Sequence, residues 1–264
     1  MRPVLLHPEW PAPEGVCAAF STRQGGVSAA PFDSLNLRPP GLRGDAVDAP
    51  EAVLENQRCF AAALGARPVY LDQVHGVAVV RLRGDEPSDL LARADACVTT
   101  AAGVACTVLV ADCLPVLLCT ADGRGVGAAH AGWRGLAGGV VEATAAALCE
   151  ATGAAPRDLV AWLGPCIGPR QFEVGQEVVE AFGGDTDAEP AADVPALFRP
   201  RRRDDGQRRW LADLPGLARQ RLAALGVERV SGGAWCTVED GSRFFSFRRD
   251  RITGRMAAAV WRRG

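Results

Sequence analysis

The sequence predicts a mixed α+β fold in a single domain (1–264), with largely antiparallel sheets and flanking helices. Short runs rich in β-branched residues alternate with a few helical stretches. No Ser/Gly linker and no repeat with a period of about 20 to 50 residues divides the chain. With 264 residues, of which 48% are hydrophobic, the chain is long and apolar enough to bury a core.

Strands are predicted where a short run is rich in β-branched residues or is bounded by glycine or aspartate. The predicted strands cover residues 16–20, 69–71, 77–82, 96–100, 104–110 and 116–119. Helices are predicted at 50–64, 136–152, 175–182 and 211–225. The Asp-, Pro- and Arg-rich stretch 183–209 is predicted to be a surface excursion. Residues 242–263 are predicted to form two strands around a turn at Thr253 and Gly254.

The charge pattern excludes several classes of function. A formal net charge of −2 provides no field to attract nucleic acid or an anionic membrane. Arg201, Arg202 and Arg203 form a local basic group, which we interpret as a solvated loop. All 29 basic residues are arginines. The absence of lysine excludes a Schiff base, a pyridoxal phosphate anchor and a Walker A loop.

The cysteine content predicts a cytoplasmic protein. Nine cysteines, an odd number without regular spacing, are typical of reduced thiols rather than of a disulfide framework. The proline-rich N-terminal stretch 1–15 has too short an apolar run for a signal peptide. No segment reaches the roughly 18 uninterrupted apolar residues of a membrane span.

The segment "VLVADCLPVLL" (108–118) places a carboxylate and a thiol inside an apolar run. The Asp122-Gly123 turn signal that follows it predicts a β-hairpin with the run ending at His130. With a two-residue loop, Cys113 and His130 lie on the same face, with Cβ atoms roughly 5 to 8 Å apart. A three-residue loop would break this parity. Asp112 points to the opposite face, which suits a hydrogen-bonding role better than metal ligation.

The chain has only three histidines, and His75 follows a strand and precedes a glycine. His75, Cys113 and His130 would supply three ligands that zinc favours and leave a fourth position open, as in catalytic zinc sites. Two alternatives remain at this point. The cysteine and a histidine could form a nucleophile–base pair, or they could be unrelated core residues.

Further residues have the side chains and the setting of a substrate site. Arg23 and Arg134 lie in glycine-rich loops, where a guanidinium group can bind phosphate or carboxylate in bidentate geometry. Arg248 is a third candidate for binding phosphate. Gln73 and Asn36 are candidates for hydrogen bonds to a bound substrate.

Seven motifs together resemble the family first described as multicopper polyphenol oxidases or laccase-domain proteins. Members of that family are now described as purine nucleoside phosphorylases and, in bacteria, as a peptidoglycan editing factor. The motifs span about 20–260 and are "FSTRQGGVS" (20–28), "LNL" (35–37), "QVHG" (73–76), "ADCLPVLL" (111–118), "AHAGWRG" (129–135), "GPCIGP" (164–169) and "SFRRDRITGRMA" (246–257).

The resemblance implies a fold of the cytotoxic-necrotizing-factor-like Cys/His hydrolase type and a zinc site at His75, Cys113 and His130. It implies phosphorolysis of adenosine, inosine and S-methyl-5′-thioadenosine, with adenosine deamination as a side activity and a possible role in peptidoglycan editing. The implied partners are purine nucleosides and phosphate, without nucleic acid or membrane, for a monomer or small homo-oligomer. One departure is Phe247, where the family pattern has tyrosine.

The number of histidines tests the older family description. A four-copper laccase site needs about ten histidines, because imidazole is the main copper ligand there. This chain has three. We therefore expect zinc, with a single copper as the alternative, and not a multicopper site.

Two competing functions remain. In the first, Cys113 is a nucleophile with His130 as its base, and the enzyme hydrolyses amino-acid linkages in cell-wall precursors. In the second, the protein is a non-enzymatic binding partner with a structural zinc, which would require a fourth protein ligand. His7 lies near the N-terminus and is a poor candidate for that ligand.

Overall fold

The computed structural model describes residues 2–42, 47–87, 91–186 and 197–264. The helices are α1 (Pro50–Leu64), α2 (Trp133–Gly138), α3 (Val140–Thr152), α4 (Gln176–Ala181), α5 (Leu214–Ala224) and α6 (Phe247–Asp250), with a 3-10 turn at Pro156–Asp158. The strands are β1 (Leu5–Leu6), β2 (Val16–Ser21), β3 (Arg67–Val69), β4 (Leu71–Asp72), β5 (Val79–Leu82), β6 (Ala92–Arg93), β7 (Ala96–Thr99), β8 (Val104–Val110), β9 (Leu114–Thr120), β10 (Val126–Ala131), β11 (Leu159–Leu163), β12 (Glu173–Val174), β13 (Phe198–Arg202), β14 (Arg208–Ala212), β15 (Arg229–Gly232) and β16 (Met256–Arg262).

Two large sheets form the centre of the fold. One has the strand order β1-β2-β16-β8-β3 and the other the order β15-β11-β9-β10-β7-β5. Two smaller sheets have the orders β12-β14-β13 and β4-β6. Most neighbouring strands in the described residues are antiparallel, although β3, β4, β5 and β15 each pair in parallel. The predicted mixed α+β class is confirmed.

The core lies in three layers because the central strands are buried on both faces. In β9, Leu114, Val116 and Leu118 face helices α3 to α5. Leu117 and Cys119 face the five-stranded sheet. The outer face of that sheet is covered by α1, which buries Phe60 and Leu64. The order of layers is therefore helix, sheet, sheet, helix.

The helix predicted at 50–64 is confirmed, and its bounds follow from its sequence. Pro50 occupies the first turn, where a missing N–H costs nothing, and Gly65 ends the helix in a left-handed conformation. The helix predicted at 136–152 is instead two helices, α2 and α3. Gly139, with a φ of 97°, separates them.

Two other predictions need correction. The predicted C-terminal pair of strands is wrong, because only β16 forms and it pairs with β2 and β8. The first half of that segment instead contains α6. Ser246 caps the N-terminus of this helix, because its hydroxyl oxygen accepts a hydrogen bond from Arg249 N. The helix predicted to begin at 211 begins at Leu214, because the preceding residues complete β14.

The segment predicted as a surface excursion lies partly outside the described residues, which omit 187–196. The rest forms the hairpin of β13 and β14. Arg201 and Arg202, predicted to lie in a loop, are solvent-exposed residues of β13. In the part of the chain that the structure describes, no helix combines the length and the apolar composition needed to cross a membrane.

Candidate metal and nucleoside site

Cys113 lies where the chain passes from one large sheet to the other. Strand β8 ends at Val110 in the five-stranded sheet, and β9 begins at Leu114 in the six-stranded sheet. Asp112 makes the turn with a φ of 91°, which is uncommon for a residue with a side chain. This turn places the Cys113 thiol outside the strand ladder, partly exposed in a cavity.

The carboxylate of Asp112 explains how this conformation is held. It accepts hydrogen bonds of 2.6 Å from Thr237 Oγ1 and of 2.6 Å from Arg248 N. The backbone carbonyl oxygen of Asp112 accepts a hydrogen bond of 2.9 Å from Ile167 N. Asp112 is nearly buried and is not a member of the metal-ligating group. It therefore has the structural role that the sequence predicted.

His130 reaches the same site from strand β10. The hairpin register pairs His130 with Pro115 and Ala131 with Leu114. Continued by one residue, this register places Gly132 opposite Cys113, so His130 and Cys113 are offset by two residues on one face. This is one of the two arrangements that the even-numbered loop predicted.

Asp95 holds both histidines in place and was missed by the sequence analysis. Its fully buried carboxylate lies 2.8 Å from His130 Nδ1 and accepts from the backbone N–H groups of Val74, His75 and Gly76 at 3.1, 2.9 and 2.7 Å. Burial would raise the pKa of Asp95, but His130 and these backbone bonds lower it overall. The only feature of the sequence that marks Asp95 is its position as a charged residue directly before a buried strand.

His75 lies in the loop between β4 and β5 with a φ of 60°. Its Nε2 atom is 3.8 Å from Cys113 Sγ, and its ring centroid is 4.8 Å from that of His130. Gly132 makes this approach possible. A Cβ atom at Gly132 would lie 2.9 Å from Cys113 Sγ and 3.0 Å from His75 Cδ2.

The three side chains influence one another electrostatically. Burial alone would raise the pKa of the Cys113 thiol, but the charge of His130 and hydrogen bonds with both histidines lower it to about 6. Burial likewise opposes the charge on His130, but Cys113 and Asp95 raise the pKa of that imidazole to about 9. The site therefore favours the thiolate, which is the form that binds a metal.

The donor set could hold one metal ion. One ligand atom from each of His75, Cys113 and His130 lies within 4.8 Å of the others, and no further His, Cys, Asp or Glu of the described residues joins them. Because Asp95 contacts His130 Nδ1, the Nε2 atom of that ring remains for the metal. Three protein ligands of this type are typical of catalytic rather than structural zinc.

The three ligands open into a cavity of about 380 Å³. This size lies in the range of small-molecule sites, roughly 300 to 1,000 Å³. Besides the ligands, its lining includes Gln73, Phe247 and two arginines, Arg38 and Arg255. The sequence does not mark these two arginines, because neither lies in a glycine-rich loop with a recognisable anion-binding pattern.

Three of the predicted substrate-binding residues do not line this cavity. The Arg23 guanidinium donates to the carbonyl oxygens of Asp33 and Gly241 at 3.0 and 3.1 Å. Arg134 is exposed, with its guanidinium carbon 4.2 Å from the centre of the Trp133 ring. Arg248 donates from Nη1 to Glu173 O at 3.0 Å.

The two predicted amide residues have different positions. Gln73 lines the cavity, but its amide bonds to the backbone of Leu109, donating to O at 2.8 Å and accepting from N at 2.7 Å. Asn36 is buried behind the wall. Its Oδ1 accepts hydrogen bonds from the backbone N–H groups of Arg38 and Arg255, at 3.2 and 2.9 Å.

Known proteins resemble this chain over nearly its whole length. A family model described as multi-copper polyphenol oxidoreductase laccase matches residues 17–263. A Pseudomonas aeruginosa protein named purine nucleoside phosphorylase PA4543 is 50% identical over 256 residues, which are 97% of each chain. Purine nucleoside phosphorylase YfiH of Escherichia coli is 48% identical over 97% of this chain and 98% of its own. The crystal structure of Neisseria meningitidis protein NMB0706 superposes with a TM-score of 0.83, at 42% identity, over 98% of this chain and 99% of that one.

Proposed function

The chain belongs to the multi-copper polyphenol oxidoreductase laccase family, and on that premise we propose that it is a zinc-dependent purine nucleoside phosphorylase. The observation that carries the proposal is the near-full-length similarity to relatives named purine nucleoside phosphorylase, at 48 to 50% identity. The His75, Cys113 and His130 group supports it, because it offers a reactive centre inside a cavity of suitable size. The free state of all nine cysteines supports a cytoplasmic enzyme.

Each residue of the centre has a distinct part in this proposal. Zinc bound by His75, Cys113 and His130 would polarise a substrate oxygen or activate a water molecule. Asp95 fixes the orientation of His130 and the loop that carries His75. The exposed Phe247 ring at the cavity provides an apolar face against which a purine can stack.

The reaction exchanges one bond at the ribose for another. A phosphate oxygen forms a bond to C1′ while the bond from C1′ to the purine nitrogen breaks. The purine leaves with that electron pair and takes up a proton, and ribose 1-phosphate remains, or its 5-methylthio derivative when the substrate is S-methyl-5′-thioadenosine. Adenosine, inosine and S-methyl-5′-thioadenosine share this bond, so all three are proposed substrates.

Deamination of adenosine is proposed as a side activity of the same centre. Water adds at C6 of adenine and ammonia leaves, so the product is inosine. This reaction needs no phosphate. Ammonia release in phosphate-free buffer therefore separates it from phosphorolysis.

Purified protein tests the proposal directly. Base release from inosine is measured by chromatography with and without orthophosphate, together with the metal content of the same sample. We expect hypoxanthine and ribose 1-phosphate only when phosphate is present, and about one zinc per chain. His75→Ala and Cys113→Ala should lose both the metal and the activity.

Arg157→Gln is a matched control. Arg157 is exposed beside the start of β11, at the end of that strand away from the site, because β9 pairs Leu159 with Thr120 and Leu163 with Val116. The activity of the Arg157→Gln protein should equal that of the unmodified protein. Full activity of either ligand variant would refute the site, and base release independent of phosphate would refute phosphorolysis.

A second function is favoured by one observation. Asp95, His130 and Cys113 form a chain of carboxylate, imidazole and thiol, the order used by cysteine hydrolases. We propose as the alternative that His130 takes up the thiol proton and Cys113 Sγ bonds to the carbonyl carbon of an amide linkage in a cell-wall precursor. The C–N bond breaks, the amine leaves with the proton from His130, and water then hydrolyses the thioester and frees Cys113. Metal-free protein that still hydrolyses such a substrate, with covalent trapping at Cys113, would establish this function. Loss of hydrolysis on metal removal would exclude it.

A further inference from the structure

Two arginines from distant parts of the sequence meet in the wall of the cavity that His75, Cys113 and His130 line. Arg38 follows the "LNL" motif, and Arg255 precedes strand β16. Asn36 Oδ1 accepts a hydrogen bond from the backbone N–H of each of them. Because Asn36 is buried, this shared acceptor fixes the two backbones side by side.

The guanidinium of Arg255 is held in a defined position. Its Nη1 donates to the carbonyl oxygens of Thr253 and Gly254, each at 3.1 Å. Gly254 is confined between Phe245 and Asn36, since a Cβ atom there would lie 2.7 Å from the Phe245 ring. Arginine in a fixed orientation is suited to binding a planar or tetrahedral oxyanion.

Arg255 lies in the cavity wall beside another cation and has no carboxylate in direct contact among the described residues. Among the described residues, no Asp or Glu forms an ion pair with Arg255. Burial lowers the pKa of Arg255 and the positive charge of Arg38 lowers it further, while the negative charges of Cys113 and Asp112 only partly oppose this shift. An anion bound beside both guanidinium groups would favour their charged forms, and both groups line the same cavity.

We propose that Arg38 and Arg255 form an oxyanion site that binds the phosphate group of a substrate in the same cavity as His75, Cys113 and His130. The inference rests on the proposed function and deepens it, because it assigns the phosphate of the phosphorolysis to residues other than Arg23, Arg134 and Arg248. The guanidinium groups hold the phosphate by charge-assisted hydrogen bonds while one of its oxygens faces the ribose. The same chemistry would bind the 5′-phosphate of a nucleotide.

Orthophosphate binding to the zinc-loaded protein, measured by titration calorimetry without nucleoside, tests the site. Arg38→Gln and Arg255→Gln should each raise the dissociation constant about 10- to 100-fold, the usual effect of losing a hydrogen bond to a charged group. Arg157→Gln should leave it unchanged. Thermal unfolding confirms that each variant is folded, and Arg38→Gln provides the test if Arg255→Gln does not fold.

A parallel titration with adenosine 5′-monophosphate separates the two sources of phosphate. Arginine-dependent binding of orthophosphate, or of the nucleotide alone, supports the site and identifies its ligand. Unchanged affinity in both folded variants overturns it, as does absence of binding of either ligand to the unmodified protein. If orthophosphate binds through these arginines but no base is released, the phosphorolysis fails while the site stands.

Discussion

At the scale of single residues, the site depends on a buried carboxylate that does not line the cavity. Asp95 bonds to the His130 ring and to three successive backbone N–H groups around His75. One side chain thus orients two of the three candidate ligands, although His130 lies on strand β10 and His75 lies in a loop. Such supporting residues contribute to metal affinity through the ligands that they orient.

We expect Asp95→Asn to weaken zinc binding by about 10- to 100-fold. An amide keeps the shape of the side chain but has one acceptor oxygen fewer, so its NH₂ group must face donors that the carboxylate accepted. Competition with a chelating dye measures the affinity. Asp122→Asn, at the turn of the same hairpin and far from the ligands, is the control. Equal zinc affinity in Asp95→Asn would contradict the role of Asp95.

The thiol of Cys113 should be reactive in the metal-free protein at unusually low pH. Its pKa is lowered to about 6 from an ordinary 9.0, so the thiolate is present above about pH 6. The rate of alkylation by iodoacetamide, followed on the Cys113 peptide by mass spectrometry, should rise with a midpoint near pH 6. In His130→Gln the loss of a positive charge should move this midpoint upward. A midpoint near 9 in the unmodified protein would disprove the low pKa.

At the scale of elements, the helices and strands follow local sequence signals, whereas their bounds depend on single residues. Gly139 divides the predicted helix 136–152, because its positive φ ends α2 and begins α3. Helices tolerate a single interior glycine at a cost of about 1 kcal/mol of stability, so a glycine alone does not predict the end of a helix. The apolar pattern therefore does not reveal this break.

Gly139→Ala should lower the free energy of unfolding by about 1 to 2 kcal/mol, because a Cβ atom disfavours the left-handed conformation. Gly139→Asn should lose less, since asparagine tolerates that conformation better. Chemical denaturation measures both. Zinc affinity serves as an internal control and should stay constant, because Gly139 lies outside the metal-ligating group. Equal stability of the alanine and asparagine variants would argue against backbone strain as the cause.

The extent to which the site was predictable differs between its residues. The sequence could predict the group of His75, Cys113 and His130 for two reasons. The turn at Asp122 and Gly123 determines which residues of the hairpin share a face, and histidine is rare in this chain. The pairing of Arg38 with Arg255 could not be predicted, because only the folded backbone brings both residues to the shared acceptor Asn36 Oδ1. The C-terminal strand pairing failed for the same reason, since β16 takes partners far away in the sequence.

At the scale of the whole molecule, the ligands lie on different structural units. His130 belongs to the six-stranded sheet, Cys113 to the crossing between the two large sheets, and His75 to a loop between two shorter strands. A metal ion bound by all three would therefore connect these units in the folded state. The unfolded chain has no such preformed site.

Removal of zinc should lower the melting temperature. At a free zinc concentration 100 times the dissociation constant, binding stabilises the folded state by about 2.7 kcal/mol. For a chain of this length that corresponds to roughly 5 to 10 °C. Scanning calorimetry with and without a chelator checks the shift, and added zinc should restore it. His75→Ala should melt at the same temperature in both conditions, and an unchanged melting temperature in the unmodified protein would exclude such a connection.

The crossing at Asp112 makes the reactive centre sensitive to the interior of the protein. Cys113 has no strand ladder of its own, so its position follows from how the two sheets sit on each other. Leu117 and Trp162 lie in the core between those sheets, on strands that continue away from the site. A change of volume at either residue would therefore alter the spacing of thiol and imidazoles. Substitutions deep in the core, far from the cavity, should therefore change the metal affinity of the site.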